Sequence, residues 1–394
     1  MQRPLLLSLF CALVMLGCSP VADVTASELS AVVQRDGIPF EGAAIPEEVV
    51  DLLGDHKVVL LGETHHLREH WAFVADLLGE LHSRGFRQLL IEAPQMVGWL
   101  LDDYVQGGQL VPEWVPPRFY ERKMSAIRAY NETLPPDERI HVHGIDVNEE
   151  WYGGARSFQS ILDYLLLSLP APGPEGASIG ADYSTAAPDV QTETIETLLA
   201  SLEAGRAALT ASWGSGWYEE VVEMAEVELE SIDIRSEDGD AASRAREEVI
   251  KRLTDKRVAA CSCNTVINVG GHHAQKSHLK GTEQQWMGDY LAHESTVVGR
   301  SIIVVGLSSA RTVLETGAGG TPWDILQSAS PDNELLRLMA EAWPGKTVFL
   351  PLDDPLFSER RVAYNSEDII YATALKEQYD AIIQYGLANR MPEN

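Results

Sequence analysis

The sequence predicts an α/β fold: a mainly parallel central sheet flanked by helices, with a helical insertion. Three observations carry this. Short unbroken apolar runs recur and end in glycine or an acid, as strands buried on both faces do. Stretches with apolar residues three and four apart alternate with them, the mark of helices that cover such a sheet. Between about 155 and 260 the strand pattern stops and helical periodicity takes over.

The elements follow in order. Residues 1–3 carry one positive charge and residues 5–16 are an apolar run, too short to span a bilayer but suited to a signal-peptide core. The run ends in Met15-Leu16-Gly17-Cys18, which resembles a bacterial lipobox with Cys18 as the lipidated residue. An ordinary secretory signal that contains a cysteine is the alternative. Residues 1–18 are thus expected to be a lipoprotein signal, 19–46 a tether with a short first element, and 47–390 the α/β domain. The expected location is the cell envelope, lipid-anchored, on the periplasmic or outer-membrane face; Ser19 is compatible with outer-membrane sorting.

Residues 58–61 (VVLL) form a strand ending at Gly62. Trp71, Val74, Leu77, Leu78 and Leu81 make 66–84 an amphipathic helix that Gly85 stops. Residues 88–93 (QLLIEA) are the next strand, followed by Pro94 and a helix through Leu101. This β-α-β unit predicts parallel strands and a right-handed crossover. Residues 140–147 read as a third strand, with His141 and His143 on one face and Ile140 and Val142 on the other. Within the helical stretch, 170–188 is a Pro/Gly/Ala/Ser-rich loop, and the acid-rich segments 219–230 and 236–248 read as solvated helix faces. Strands follow at 265–271 and 301–307, with a helix at 283–293 between them, then further strands at 346–352 and 381–386.

The chain carries 59 Asp and Glu against 30 Lys and Arg, a formal charge of −29. Such a surface repels phosphate backbones and anionic headgroups, which argues against nucleic acid and against membrane binding by charge. A lipid anchor must then act alone. Cys261 and Cys263, one residue apart, read as helix-end or core thiols rather than as a bridge.

In open α/β sheets, ligands bind beyond the carboxyl ends of the strands. Those ends here carry Glu63, His65 and His66; Glu92; Asp146; and His272 and His273. A carboxylate buried at a strand end is costly unless paired. Glu63 and Glu92 could instead be exposed loop starts or helix caps. His278, five residues past His273, is within reach as a substrate contact. His141 and His143 read as structural, as do His56, His82 and His293.

The ordered set Gly62-Glu63-Thr64-His65, Glu92, and Gly270-Gly271-His272-His273 resembles the two GxxH motifs and glutamate of the erythromycin esterase, Tiki/TraB and ChaN haem-uptake superfamily. Gly144-Ile145-Asp146, the Met287-Gly288 helix start and the Tyr379–Ile383 strand are similar to the esterase branch. The second histidine motif is closer to the Tiki/TraB form, so a macrolide substrate does not carry over. Residues 155–260 show no match.

Three readings fit these residues. In the first, His65 is a general base that takes a proton from water, Glu63 or Glu92 orients it, and His273 polarises a carbonyl or protonates the leaving group. In the second, His65, His273 and Glu92 hold a divalent metal ion that generates hydroxide. Both cleave an ester or amide bond of a small-molecule or peptide substrate, with His66, Asp146, His272 and His278 as substrate or supporting contacts. The third, implied by the ChaN branch, is haem or iron binding without catalysis. A serine nucleophile is disfavoured because no GxSxG elbow is present.

Overall fold

The computed structural model describes residues 23–42, 44–65, 67–108, 117–149, 153–169, 179–180, 182–237, 239–277, 284–299, 301–314, 323–325, 333–366 and 369–390. The chain begins with α1 (Ala26–Asp36), β1 (Ile38–Phe40), α2 (Glu47–Gly54), β2 (Val58–Glu63), α3 (Arg68–Leu81), β3 (Phe86–Pro94), α4 (Gln95–Gln106), α5 (Pro117–Asn131) and β4 (His141–Asp146). Four helices then intervene: α6 (Gly154–Ser168), α7 (Pro188–Trp213), α8 (Ser215–Ser236) and α9 (Asp240–Ala260). The sheet resumes with β5 (Asn264–Gly270), followed by α10 (Gly271–Ala274), α11 (Met287–His293) and β6 (Ile302–Ser309). Next come β7 (Thr312–Leu314), β8 (Trp323–Ile325), α12 (Glu334–Ala342), β9 (Thr347–Pro351), α13 (Pro355–Glu359) and β10 (Val362–Ser366). The last strands are β11 (Ile369–Thr373), β12 (Ala381–Tyr385) and β13 (Ala388–Arg390).

The central sheet has eight strands in the order β1-β9-β12-β6-β2-β5-β3-β4. From β12 to β4 every pairing is parallel; β9 runs antiparallel to both β12 and β1. Strands β2 and β3 are parallel, as the β-α-β pattern predicts, but they do not pair, because β5 lies between them. Alternate residues of β2 feed two cores on opposite faces: Val59 and Leu61 on one, Val58 and Leu60 on the other, all fully buried. That double burial explains the unbroken apolar runs.

Three expectations differ from the structure. The segment expected to be a tether is folded from Asp23: α1 buries Leu29, Val32 and Val33, and β1 pairs with the edge strand β9. Its three- and four-residue apolar spacing is that of an amphipathic helix. The acid-rich helices are not simply solvated, since Glu223, Glu228 and Glu247 are buried. Each has a charged or hydrogen-bonding partner; Glu228, for example, accepts from Tyr183 Oη at 2.6 Å and pairs with Arg235 at 2.9 Å. Finally, Cys261 and Cys263 form a disulfide with Cα atoms 5.1 Å apart. Cys261 caps α9 in an extended conformation, so the chain turns at Ser262 and returns the second sulfur to the first.

Candidate functional site

The strand order builds the site. Because β5 inserts between β2 and β3, the turn after β5 falls between Glu63 and Glu92, and Asp146 ends the neighbouring strand β4. Register gives the same picture: Glu63 lies opposite Gly270, and Pro94 opposite Asp146. One extra residue on β3 between Ile91 and Pro94 makes a bulge at Glu92, the kind of irregularity that re-aims a side chain.

Glu63 is buried and accepts from Trp71 Nε1 at 3.2 and 3.1 Å and from Asn268 Nδ2 at 2.9 Å. Asn268 in turn accepts from Lys123 Nζ at 2.5 Å. His65 stands over this cluster with its side chain 45% exposed; Nδ1 is 3.4 Å from Glu63 Oε1 and Nε2 is 4.0 Å from Glu92 Oε2. Burial alone would raise the Glu63 pKa, but the His65 contact and the charge of Lys123 hold it below the usual carboxylate value. Burial pushes the Lys123 ammonium down to about 8, against the opposing pull of Glu63. His70, fully buried nearby, is driven to about 4 by burial and so stays neutral.

Glu92 is the hub of the second cluster. It accepts from Gly270 N at 2.6 Å and Arg246 Nη2 at 2.7 Å, and it lies 3.4 Å from His273 Nε2. His273 Nδ1 meets Glu247 at 2.7 Å. Arg246 also grips fully buried Asp146 through two hydrogen bonds of 2.8 and 2.6 Å. Burial would strip the proton from His273, but Glu247 and Glu92 hold its pKa well above the ordinary imidazole value. Burial would likewise protonate Glu92, yet His273, His65 and Arg246 hold it well below its ordinary value. Both His273 ring nitrogens thus face carboxylates, Nδ1 that of Glu247 and Nε2 that of Glu92. The histidine fixes Glu92 in place. His272, the other half of the pair, stacks on Trp286 with ring centroids 5.8 Å apart.

Space is part of the design at Gly270. A Cβ there would lie 2.8 Å from His65 Nε2 and 3.2 Å from Glu92 Oε2, so only glycine lets those groups approach the strand end together.

Of the expected site residues, Glu63, His65, Glu92 and His273 converge, and Asp146 joins them through Arg246. His66, His278 and Cys18 lie outside the described residues. His65 and His273, two members of the expected metal set, both approach the third, Glu92, with nitrogens 4.0 and 3.4 Å from its carboxylate. Glu247 and Glu92 face the two His273 ring nitrogens, and a guanidinium sits on Glu92. Among the described residues no three His, Cys, Asp or Glu side chains are grouped to hold a metal ion.

Sequence reasoning missed Arg246, Glu247, Lys123 and Asn268. Two of them carried a signal. Glu247 lies three residues before Ile250 and seven before Thr254 on the buried stripe of α9, and Asn268 is a polar interruption in the strand TVINVG. Acids and amides placed on a buried stripe need partners.

The sheet and its flanking helices have the erythromycin esterase-like fold. Among solved structures, the chain is similar to a succinoglycan biosynthesis protein, with a TM-score of 0.67, 16% identity, and 93% of this chain and 98% of that one covered. A Bacillus cereus protein matches with a TM-score of 0.65, 16% identity and the same coverage. A variant of the erythromycin esterase EreC in its open conformation matches with a TM-score of 0.58 and 15% identity, covering 88% of this chain and 94% of that one. No protein-family model and no curated protein sequence matches the chain.

Proposed function

We propose that the protein is an exported, lipid-anchored hydrolase of an ester or amide bond in a small-molecule or peptide substrate, with His65 as general base. The observation that carries this reading is a half-exposed histidine whose Nδ1 faces a buried, hydrogen-bonded glutamate, Glu63. That arrangement keeps the proton on Nδ1 and leaves Nε2 to take one from water. The imidazolium that results is flanked by Glu63 and Glu92, whose negative charges favour its formation. Arg246 and His273 keep Glu92 ionised and aimed. Lys123 and Asn268 do the same for Glu63. The EreC likeness supports an ester-cleaving chemistry on this fold, and the lipobox-like Met15–Cys18 segment supports export and anchoring at Cys18.

A panel of nitrophenyl esters and peptide amides, assayed with and without chelator, tests the reading. Turnover unaffected by chelator and reduced roughly a hundred- to ten-thousand-fold in His65→Ala is the expected result. His65 is half exposed, so the variant's unfolding free energy should stay within about 0.5 kcal/mol of the parent. A variant that melts early but keeps its turnover rate would assign His65 to holding its loop and remove the hydrolase reading.

A further inference from the structure

At the opposite, amino-terminal edge of the sheet lies a cavity of about 480 Å³. Its walls include Cys261 and Cys263, together with Arg87, Arg139 and Arg257. Three guanidinium groups around one cavity stand out in a chain of net charge −29. Asp137, exposed, is the acid among the residues that line it. Arg87 and Arg139 donate to backbone carbonyls, of His82 at 2.6 Å and of Gln106 at 3.2 Å, and among the described residues no carboxylate forms an ion pair with either. Among the described residues the buried Nε groups of Arg139 and Arg257 have no hydrogen-bond partner, although the far end of Arg257 pairs with Glu220 and Glu223.

We propose that the Cys261–Cys263 disulfide and this cationic cavity form a thiol–disulfide exchange site for small anionic thiols. A bridge between residues two apart closes a very short loop and removes little entropy from the unfolded chain, so a stabilising staple accounts for it poorly. Both cysteines are partly exposed at the cavity, where a ligand can reach them. The guanidinium groups of Arg87 and Arg139, bonded to neutral carbonyls, attract an anionic thiol and also stabilise the thiolate that exchange releases.

The substrate thiolate attacks Cys261 Sγ; the S–S bond breaks, Cys263 leaves as a thiolate, and a mixed disulfide remains. Cys263 is the better leaving group because it lies beyond the carbonyl end of α9, which Cys261 caps and which disfavours negative charge. A second substrate thiolate attacks the substrate sulfur of the mixed disulfide and expels Cys261. Two substrate thiols thereby lose two electrons and two protons, becoming one disulfide, and the cysteine pair gains them as a dithiol. This activity is independent of the hydrolytic site, which occupies the other edge of the sheet.

The test uses the full chain with glutathione as an anionic thiol and cysteamine as a cationic one, at equal thiolate concentration. Samples are quenched, alkylated with a maleimide and mapped at Cys261 and Cys263. Glutathione is expected to open the bond at least tenfold faster than cysteamine, with the gap narrowing in high salt. The double variant R87Q/R139Q should lose the preference while still opening with cysteamine. Equal rates for the two thiols in the parent protein would overturn the proposal, as would full alkylation of both cysteines before any thiol is added. Because the decisive comparison is made on the unaltered chain, a misfolded variant does not affect it.

Discussion

Arg246 is the cation on which two buried carboxylates depend. It is bonded twice to Asp146, which has no solvent exposure, and once to Glu92. Removing one member of such a group leaves the rest as uncompensated buried charge, a loss of roughly 3–5 kcal/mol. Arg246→Met is therefore expected to lower the unfolding free energy by about that amount in urea titration, and adding Asp146→Asn should recover part of it. Additive losses in the two variants would count against a shared network. The same cluster sets a pH dependence. His273 has a raised folded-state pKa, so its contribution is complete below the ordinary imidazole value and disappears as pH rises through the folded value. Glu92 has a depressed one, so its contribution is present above the ordinary carboxylate value and disappears as pH falls through the folded value. Stability should decline at both ends of the range. His273→Asn should flatten the alkaline limb of a melting-temperature profile; an unchanged alkaline slope would mean that His273 is not the group titrating there.

At the scale of elements, the junctions between strands and short helices decide the geometry. Gly270→Ala would drive a Cβ against His65 Nε2 and Glu92 Oε2 without touching the cores. The exposed His65 ring can swing away cheaply, so the expected outcome is a large loss of hydrolytic rate with a melting temperature close to the parent's. A variant that keeps full activity would show that the close approach is incidental. Gly98 makes the contrasting case. A Cβ there would overlap the backbone of Gly144, forcing α4 off β4, and Gly98→Ala should cost about 1–3 kcal/mol or more in stability. What could be read from the sequence follows the same division. Strands β2, β3, β5, β6 and β12 were legible because burial on both faces writes an unbroken apolar run, and Glu63 and Glu92 stood out as acids at the ends of such runs. Arg246 was not legible because an arginine among acids on a helix looks like surface until the helix is docked. The insertion of β5 between β2 and β3, which brings His273 to Glu92, is a pairing across some 175 residues of chain that no local periodicity encodes. The disulfide runs against the sequence reading because its short spacing argues against a bridge until the turn at Ser262 is known.

For the whole molecule, the net charge of −29 and the proposed anchor combine into one expectation about membrane attachment. Among the described residues no helix is long and apolar enough to cross a membrane. The acidic surface repels anionic headgroups, so it adds nothing to membrane affinity and opposes close approach at low salt. An acyl anchor behaves differently, contributing about 0.8 kcal/mol for each buried methylene, a term that salt does not screen. The membrane-bound fraction should therefore resist a high-salt wash, whereas a protein held by charge would be released by it. Cys18→Ala should move the protein to the soluble fraction. Cys18 precedes α1 and β1, which pack against α12 and β9, and the released variant is expected to melt at the parent's temperature. Sedimentation of the variant with membranes after a high-salt wash would rule out lipidation at Cys18 as the attachment, and would point instead to an uncleaved signal or a protein partner.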